Sequence, residues 1–316
     1  MNCYLFQLRF NTPVHFGGSD SALSLYSSED HFRADTLFSA LCHTAMQMHG
    51  EAGVERLMDM AHRGGLVLSD SMPWQGDRLY LPKPCYTAQT ARELPADQRK
   101  AMKKLAWIPV AEFDDYCSAM TDGTLFETAP VTFGHVVEST KAAVPERMDT
   151  RPYAVGLYRF SENTGLYFLA ICEDGAWLSD LVTALGYSGI GGKVTAGYGK
   201  YTVVRNECLS DASDGQCQWL RAALGRADGR SMLLTSSLPG DGELEAVLEG
   251  ASYQLIRRAG FIGADGAEHR KKKTQHFLTA GSVVRSPFEG GLYEVGRVRQ
   301  HAVYRYSKPM FLGVKL

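Results

Sequence analysis

A glycine-rich loop is the segment of this sequence whose residue types could most directly do chemistry. Residues 186–199 read GYSGIGGKVTAGYG, six glycines in fourteen residues, and Lys200 follows at once. Glycine permits a backbone with positive φ and removes the Cβ that would block close approach. A concave run of main-chain N–H groups, with Lys193 and Lys200 beside it, could therefore dock a polyanion backbone.

Two glycine-containing nucleotide motifs do not fit this loop. A Walker phosphate loop needs Ser or Thr after its lysine, but Val194 follows Lys193. A dinucleotide fingerprint runs from a strand through the glycines into a helix. Here the amphipathic run from Trp177 to Leu185 comes first, and a strand-like run begins at Lys200. This order is typical of RNA-binding ferredoxin-like domains, with a purely structural turn as the alternative.

Composition argues against several other kinds of chemistry. Seven cysteines lie scattered without a C-x-x-C pair, and the nine histidines show no zinc-like spacing. We therefore predict no metal, no cofactor, and reduced thiols in a cytoplasmic protein. No apolar stretch approaches the ~20 residues needed to cross a bilayer. The first residues lack a basic, cleavable leader, so neither membrane insertion nor export is expected.

Charge is unevenly distributed along the chain. From Tyr253 to Leu316 there are 12 Lys and Arg against 4 Asp and Glu, whereas the first 252 residues hold 21 against 31. This division indicates one surface for a polyanion and another for a protein neighbour. The run from Arg270 to Lys273 is strongly basic, but solvated loops often have the same composition.

The elements that would position the glycine loop follow the order β-α-β-β-α-β. Tyr4 to Phe10 alternates as a half-buried strand does. Asp35 is expected to cap a helix that runs to about His49, with Leu37, Leu41, Ala45 and Met48 on its apolar stripe and Gly50 as its stop. The remaining predicted elements are strands at 66–69 and 79–81, a hairpin of 153–160 with 166–171, a helix near 176–186 and a strand at 198–205.

Residues 83–150 interrupt this order and are interpreted as an insertion, with a helix at 96–106 and a polar stretch at 138–150. After Asp211 a second β-rich part is expected. Its predicted elements are strands at 232–235, 253–257, 274–279, 292–295, 303–306 and 310–314, and a helix at 243–249. The prediction is an α+β fold of two ferredoxin-like domains, 1–210 and 211–316.

Four segments together share the pattern of one protein family. They are the stretches from Thr12 to Gly17 (TPVHFG), from Arg33 to Leu41 (RADTLFSAL), from Gly189 to Lys200, and from Phe277 to Met310, the last of which begins FLTAGSVVR. With them the chain resembles the RAMP superfamily of CRISPR effector proteins, and within it the fourth subunit of the type III-A Csm complex. One departure is Ala34, where a small hydroxyl residue is expected.

The resemblance implies a non-catalytic role in antiviral defence. Such a subunit grips the 5′ repeat-derived tag of the CRISPR RNA (crRNA). It also contacts the large polymerase-like Csm subunit and the repeating backbone Csm subunit. The insertion at 83–150 would be the thumb-like element that such subunits lay across the RNA.

The predicted RNA contacts include loop glycines, cations and stacking groups. They are His15, Arg33, Gly189, Gly191, Gly192, Lys193, Gly197, Tyr198, Gly199, Lys200, Arg147, Arg151, Gly281, Ser282 and Arg285. Each has a plainer alternative, such as bracing of the loop by His15 or packing of Tyr198 beneath it. No catalytic residue is predicted. A metal-independent repeat-RNA endoribonuclease using His15 is the alternative function, and a protein scaffold without RNA contact is a third.

Overall fold

The computed structural model of this chain describes residues 1–18, 24–86, 100, 102–143, 151–226, 229–263 and 270–316. The strands are β1 Asn2–Phe10, β2 Leu66–Leu68, β3 Met72–Gln75, β4 Arg78–Pro82, β5 Trp107–Pro109, β6 Gly134–Ala143, β7 Arg151–Phe160, β8 Thr164–Cys172, β9 Tyr201–Cys208, β10 Arg230–Leu233, β11 Leu255–Arg258, β12 Gln275–Leu278, β13 Val283–Val284, β14 Gly291–Val298, β15 His301–Ser307 and β16 Phe311–Val314. The helices are α1 Ala34–His62, α2 Phe113–Asp122, α3 Gly175–Ser188, α4 Gly215–Leu224 and α5 Leu244–Leu248, with 3-10 turns at Val110–Glu112 and Val194–Ala196.

One sheet of seven strands organises the first two thirds of the chain. Its order is β5-β4-β3-β8-β1-β9, and β2 also pairs with β8. The β1–β8 ladder runs from Asn2↔Cys172 to Leu8↔Leu166, and β9 occupies the opposite side of β1. Every ladder between the described strands is antiparallel. The predicted α+β class is confirmed.

Both faces of this sheet are buried. On one face, Phe6 and Leu8 share an apolar cluster with residues of α1 and α3. On the other face, Leu5 shares a second cluster with α2, α4, β10 and β16. Tyr4, Phe6, Leu8 and Phe10 thus share one packed face, as their alternation predicted, but Leu5 on the other face is buried too, because α2 and the chain after β9 cover it.

The first helix differs from the prediction at both of its ends. Gly50 interrupts it with φ 65° and ψ −156°, as expected of a stop, but a second helical stretch continues to His62. Asp35 does not cap the helix. The N–H of Ala34 instead donates to Oδ1 of Asp70 at 2.8 Å. Met48, which was predicted to lie on the apolar stripe, is 43 % exposed.

The prediction that 153–160 and 166–171 pair as a hairpin was wrong. β7 pairs with β6 over ten residue pairs, from Gly134↔Phe160 to Ala143↔Arg151, while β8 enters the main sheet. The turn between β7 and β8, with Asn163 at φ 53°, therefore passes the chain from one sheet to another. Its residues signal a turn but do not show which strands pair across it.

The predicted insertion contains more than a projecting arm. β5 pairs with β4, and α2 belongs to the second apolar cluster. Residues 96–99 and 101 of the helix predicted at 96–106 lie outside the described residues, whereas 100 and 102–104 are helical and 105–106 are not.

The last third of the chain contributes a sheet of order β13-β10-β16 and the pairs β11–β12 and β14–β15. Two elements in this part of the chain, β13 and α4, were not predicted from the sequence. Among the helices in the described ranges, none has the length and apolar character required to span a membrane.

Candidate nucleic-acid interface

Most glycines of the loop at 186–199 are required by contacts within this chain. A Cβ on Gly199 would lie 2.1 Å from the Ile190 carbonyl oxygen, and one on Gly191 would lie 2.8 Å from that of His15. Gly189 and Gly192 are equally crowded, whereas Gly197 has open space around it. The glycines were expected to admit a polyanion, but five of the six, including Gly186 beside the Tyr201 carbonyl, make room for this chain's own atoms.

Main-chain hydrogen bonds hold the base of the same loop. The N–H groups of Gly189, Gly192 and Gly199 donate to the carbonyls of Leu185, His15 and Pro13 at 2.8–2.9 Å. The exposed part is the short turn that begins at Lys193, which itself adopts a left-handed backbone with φ 61°. A rigid base therefore presents a small cationic tip.

The hairpin of β6 and β7 meets that tip through cations placed over aromatic rings. The ammonium group of Lys193 lies 5.4 Å from the ring centre of Tyr153, and that of Lys141 lies 4.9 Å from the ring centre of Tyr198. The hydroxyl of Tyr198 donates to Oγ of Ser139 at 3.0 Å. Lys141, and then Ser139, lower the pKa of the Tyr198 hydroxyl.

The three hairpin residues in this cluster were missed, although a signal for them exists. Lys141 pairs with Tyr153 across the ladder, and Ser139 is two residues before Lys141. Alternation along a strand therefore places all three on one face. Ser139 and Lys141 fall in the stretch interpreted only as a polar insertion, and Tyr153 begins the strand predicted at 153–160.

His15 lies beneath the loop rather than on its surface. Its side chain is 7 % exposed, and Nδ1 donates to the carbonyl of Gly156 at 2.7 Å. A Cβ on Gly192 would lie 2.7 Å from Cδ2 of the same ring. His15 thus braces the glycine loop against β7, which was the plainer of its two readings.

Arg33 connects this region to the rest of the molecule. It borders a small cavity of about 80 Å³ together with His15, Gly191, Gly192 and Arg258. Its Nη1 forms an ion pair with Glu29, whereas its buried Nε contacts no hydrogen-bond acceptor among the described residues. The structure therefore brings together His15, Arg33 and the glycine loop, three of the groups named as RNA contacts from the sequence.

Arg258, which the sequence did not single out, belongs to a buried charge cluster with Asp35. Its Nη2 and Nε donate to Oδ1 and Oδ2 of Asp35 at 2.7 and 3.0 Å. Nε of Arg305 lies 3.7 Å from Oδ2 of Asp35. Burial raises the pKa of Asp35, but the charges of Arg258 and Arg305 lower it by more, so the net shift is downward. Asp35 therefore joins the last third of the chain to the start of α1.

The remaining predicted contacts lie apart from this group. Lys200 is exposed but borders a different cavity of about 490 Å³, beside α3 and β9. Gly281 packs against Lys83, where a Cβ would lie 2.6 Å from the carbonyl oxygen. Arg285 is exposed beside Gly250.

Three more of the predicted contacts are Ser282, Arg147 and Arg151. Ser282 has no exposed surface, and its contact with RNA stays a prediction. Arg147 lies outside the described residues. For Arg151 only the backbone is described, at the start of β7 opposite Ala143.

One group of potential metal ligands occurs among the described residues, namely Glu207, Asp214 and Cys217. The guanidinium of Arg205 contacts both carboxylates and lies 3.3 Å from Sγ of Cys217. Burial raises the pKa of Asp214, but the Cys217 N–H and Arg205 lower it to about 2. The group is an ion-pair cluster in which Arg205 supplies the positive charge.

Comparison with known proteins points to one family. The family described as "CRISPR Csm4 C-terminal domain" matches residues 227–314. The protein named "CRISPR system Cms protein Csm4" from Mycobacterium tuberculosis (strain ATCC 25618 / H37Rv) is 32 % identical over 320 residues, covering 99 % of this chain and 98 % of that protein. The protein of the same name from Streptococcus thermophilus is 30 % identical over 312 residues, covering 96 % of each.

Solved structures agree on the fold. A Csm1–Csm4 cassette in complex with pppApA matches with a TM-score of 0.64 at 21 % identity, over 100 % of this chain and 99 % of that one. A Csm3–Csm4 subcomplex of a type III-A CRISPR-Cas interference complex matches with a TM-score of 0.65 at 16 % identity, over 100 % of both chains. At these identities the likeness shows the architecture alone.

Proposed function

Because this chain belongs to the Csm4 family of CRISPR proteins, we propose that it is a non-catalytic RNA-binding subunit of a type III-A effector complex. In this role it anchors the 5′ repeat-derived tag of the crRNA and serves in antiviral defence. Its mechanism is binding alone: cations neutralise phosphates, and aromatic rings stack on unpaired bases.

The cation–aromatic cluster on the glycine loop carries this proposal. Lys193 and Lys141 each lie over a tyrosine ring, at the junction of a rigid loop and a two-stranded ribbon. Phosphates attract such ammonium groups, and a base can replace a cation on a ring face. Beneath the tip lie His15, Arg33 and Arg258, whose bonds to Gly156, Glu29 and Asp35 fix the surface on which the tip stands.

The proposed architecture and partners extend the same assignment. The order β9-β1-β8-β2 and the two helices on one face support a ferredoxin-like first domain, 1–210, with the β6–β7 hairpin as its thumb. The second domain, 211–316, is proposed to be ferredoxin-like also. We assign the large polymerase-like subunit and the repeating backbone subunit as its neighbours in the cytoplasm, since the similar structures are Csm1–Csm4 and Csm3–Csm4 assemblies.

Filter binding at physiological salt tests the proposal. RNA that bears the repeat-derived 5′ tag should outcompete RNA with a scrambled tag, and equal affinities would refute tag recognition. Lys141→Gln should weaken binding and reduce the salt slope by about 1 for a lost phosphate contact. Lys315→Gln, at an exposed lysine near the C-terminus, is the matched control and should change neither quantity.

A further inference from the structure

A larger cavity lies next to the proposed interface and is not used by it. Its volume is about 770 Å³, within the ~300–1,000 Å³ range of ligand pockets. Loops before α1, after β4, before β5, before β11 and after β12 enclose it. It shares His31 and Arg33 with the small cavity beneath Gly191 and Gly192. The two cavities are therefore adjacent.

The chemistry of the lining favours an anionic, planar ligand. Three Lys and Arg border the cavity against two Asp. Both carboxylates are engaged by this chain: Asp70 accepts from Ala34 and Ser236, and Asp30 contacts His31. Among the cations, Arg33 pairs with Glu29 and Lys83 donates to the Met102 carbonyl, so the lining residues carry one more positive than negative charge.

Arg33 supplies a buried donor that lacks an acceptor. Its side chain is only 10 % exposed, and its Nε has no partner among the described residues. A buried unpaired donor is costly, so such a group usually has an acceptor when the protein is in its working state. A phosphate oxygen within the cavity would satisfy it.

Aromatic side chains supply the planar surfaces. Trp107 borders the cavity and is held edge-on by His31, with ring centres 5.3 Å apart. Tyr253 also borders it and is 41 % exposed, so part of its side chain is open to a ligand. Rings beside cations are the usual lining of sites for unstacked bases.

We propose that this cavity receives one unstacked nucleotide of the RNA strand that the glycine loop binds. The Nε of Arg33 donates to the phosphate of that nucleotide, and the base stacks on Tyr253. This assignment rests on the proposed RNA-binding function and adds to it a defined position at which a base is removed from the strand.

An abasic scan with the full-length chain tests the assignment. Tag-bearing RNAs, each lacking one base, are compared with the intact RNA by filter binding. At one position, loss of the base should weaken binding about fivefold or more, the effect of one stacked base. Tyr253→Ser should weaken binding of intact RNA by a similar factor and leave binding of that one abasic RNA unchanged, since the two changes remove the same contact.

Tyr304→Ser provides the matched control. Tyr304 is 38 % exposed, packs edge-on against His62 and does not border the cavity, so this change should leave the abasic profile unaltered. Two results would overturn the assignment. One is equal affinities for all the abasic RNAs. The other is a Tyr253→Ser loss that persists at every abasic position, because Tyr253 would then stack on none of the removed bases. If the chain binds no RNA at all, the proposed function fails as well, which distinguishes the two failures.

Discussion

Replacing Asp35 by asparagine tests whether a buried charge cluster holds the last third of the chain against α1. The Asp35 side chain is 8 % exposed, and those of Arg258 and Arg305 are 14 % and 4 % exposed. Loss of one partner from a buried ion pair leaves uncompensated charge and costs about 3–5 kcal/mol. Asp35→Asn should therefore lower the free energy of unfolding by roughly that amount, measured by urea denaturation at pH 7.

The pH dependence gives the same prediction a second readout. The pKa of folded Asp35 lies below its ordinary value, so its stabilisation is fully present above about pH 4. It is lost as the pH falls through the folded pKa. Asp35→Asn should remove this part of the acid-induced loss of stability.

A control with similar bonds and different exposure sharpens the comparison. Arg297 donates to both carboxylate oxygens of Glu294 at 2.7 and 3.0 Å, distances like those of the Arg258–Asp35 pair. Its side chain is 64 % exposed, so water screens the pair and Glu294→Gln should have almost no effect. Equal destabilisation by the two substitutions would refute the reasoning, because burial would then not set the cost.

Three further predictions concern the loop, His15 and the buried thiols. Gly197→Ala should destabilise the protein by about 1–2 kcal/mol, the cost of a left-handed backbone at a residue with a Cβ. Gly199→Ala should destabilise it more, because its Cβ would also lie 2.1 Å from a carbonyl oxygen. Equal melting curves for the two variants would contradict this. Wild type and His15→Ala should both leave repeat RNA uncut in EDTA; a product made by wild type and lost in the variant would establish the ribonuclease instead. Burial raises the pKa of Cys117 and of Cys217 to about 12, against an ordinary value of about 8.5, so at pH 8 thiolate is scarce. Iodoacetamide should therefore label both thiols at least about 100-fold more slowly in the native than in the urea-unfolded protein, and similar rates would contradict this.

Local patterns in the sequence were sufficient to predict several parts of the fold. The alternation from Tyr4 to Phe10, the helix before the glycine loop and the strand after it all occur, because each depends on residues close in sequence. The turn after β7 was predicted too, but the passage of the chain from one sheet to another at that turn was not. Pairing of β7 with β6 rather than β8 depends on which surfaces are available in the folded molecule.

The sequence by itself determined the glycine loop, its position between a helix and a strand, and the family to which the chain belongs. Only the tertiary structure decided what surrounds that loop. It placed Lys141 and Tyr153 at the loop's tip, turned His15 inward as a brace, and paired Asp35 with Arg258 instead of the helix amides. These contacts join residues far apart in the chain, so they depend on packing between elements, which local propensity and spacing do not specify.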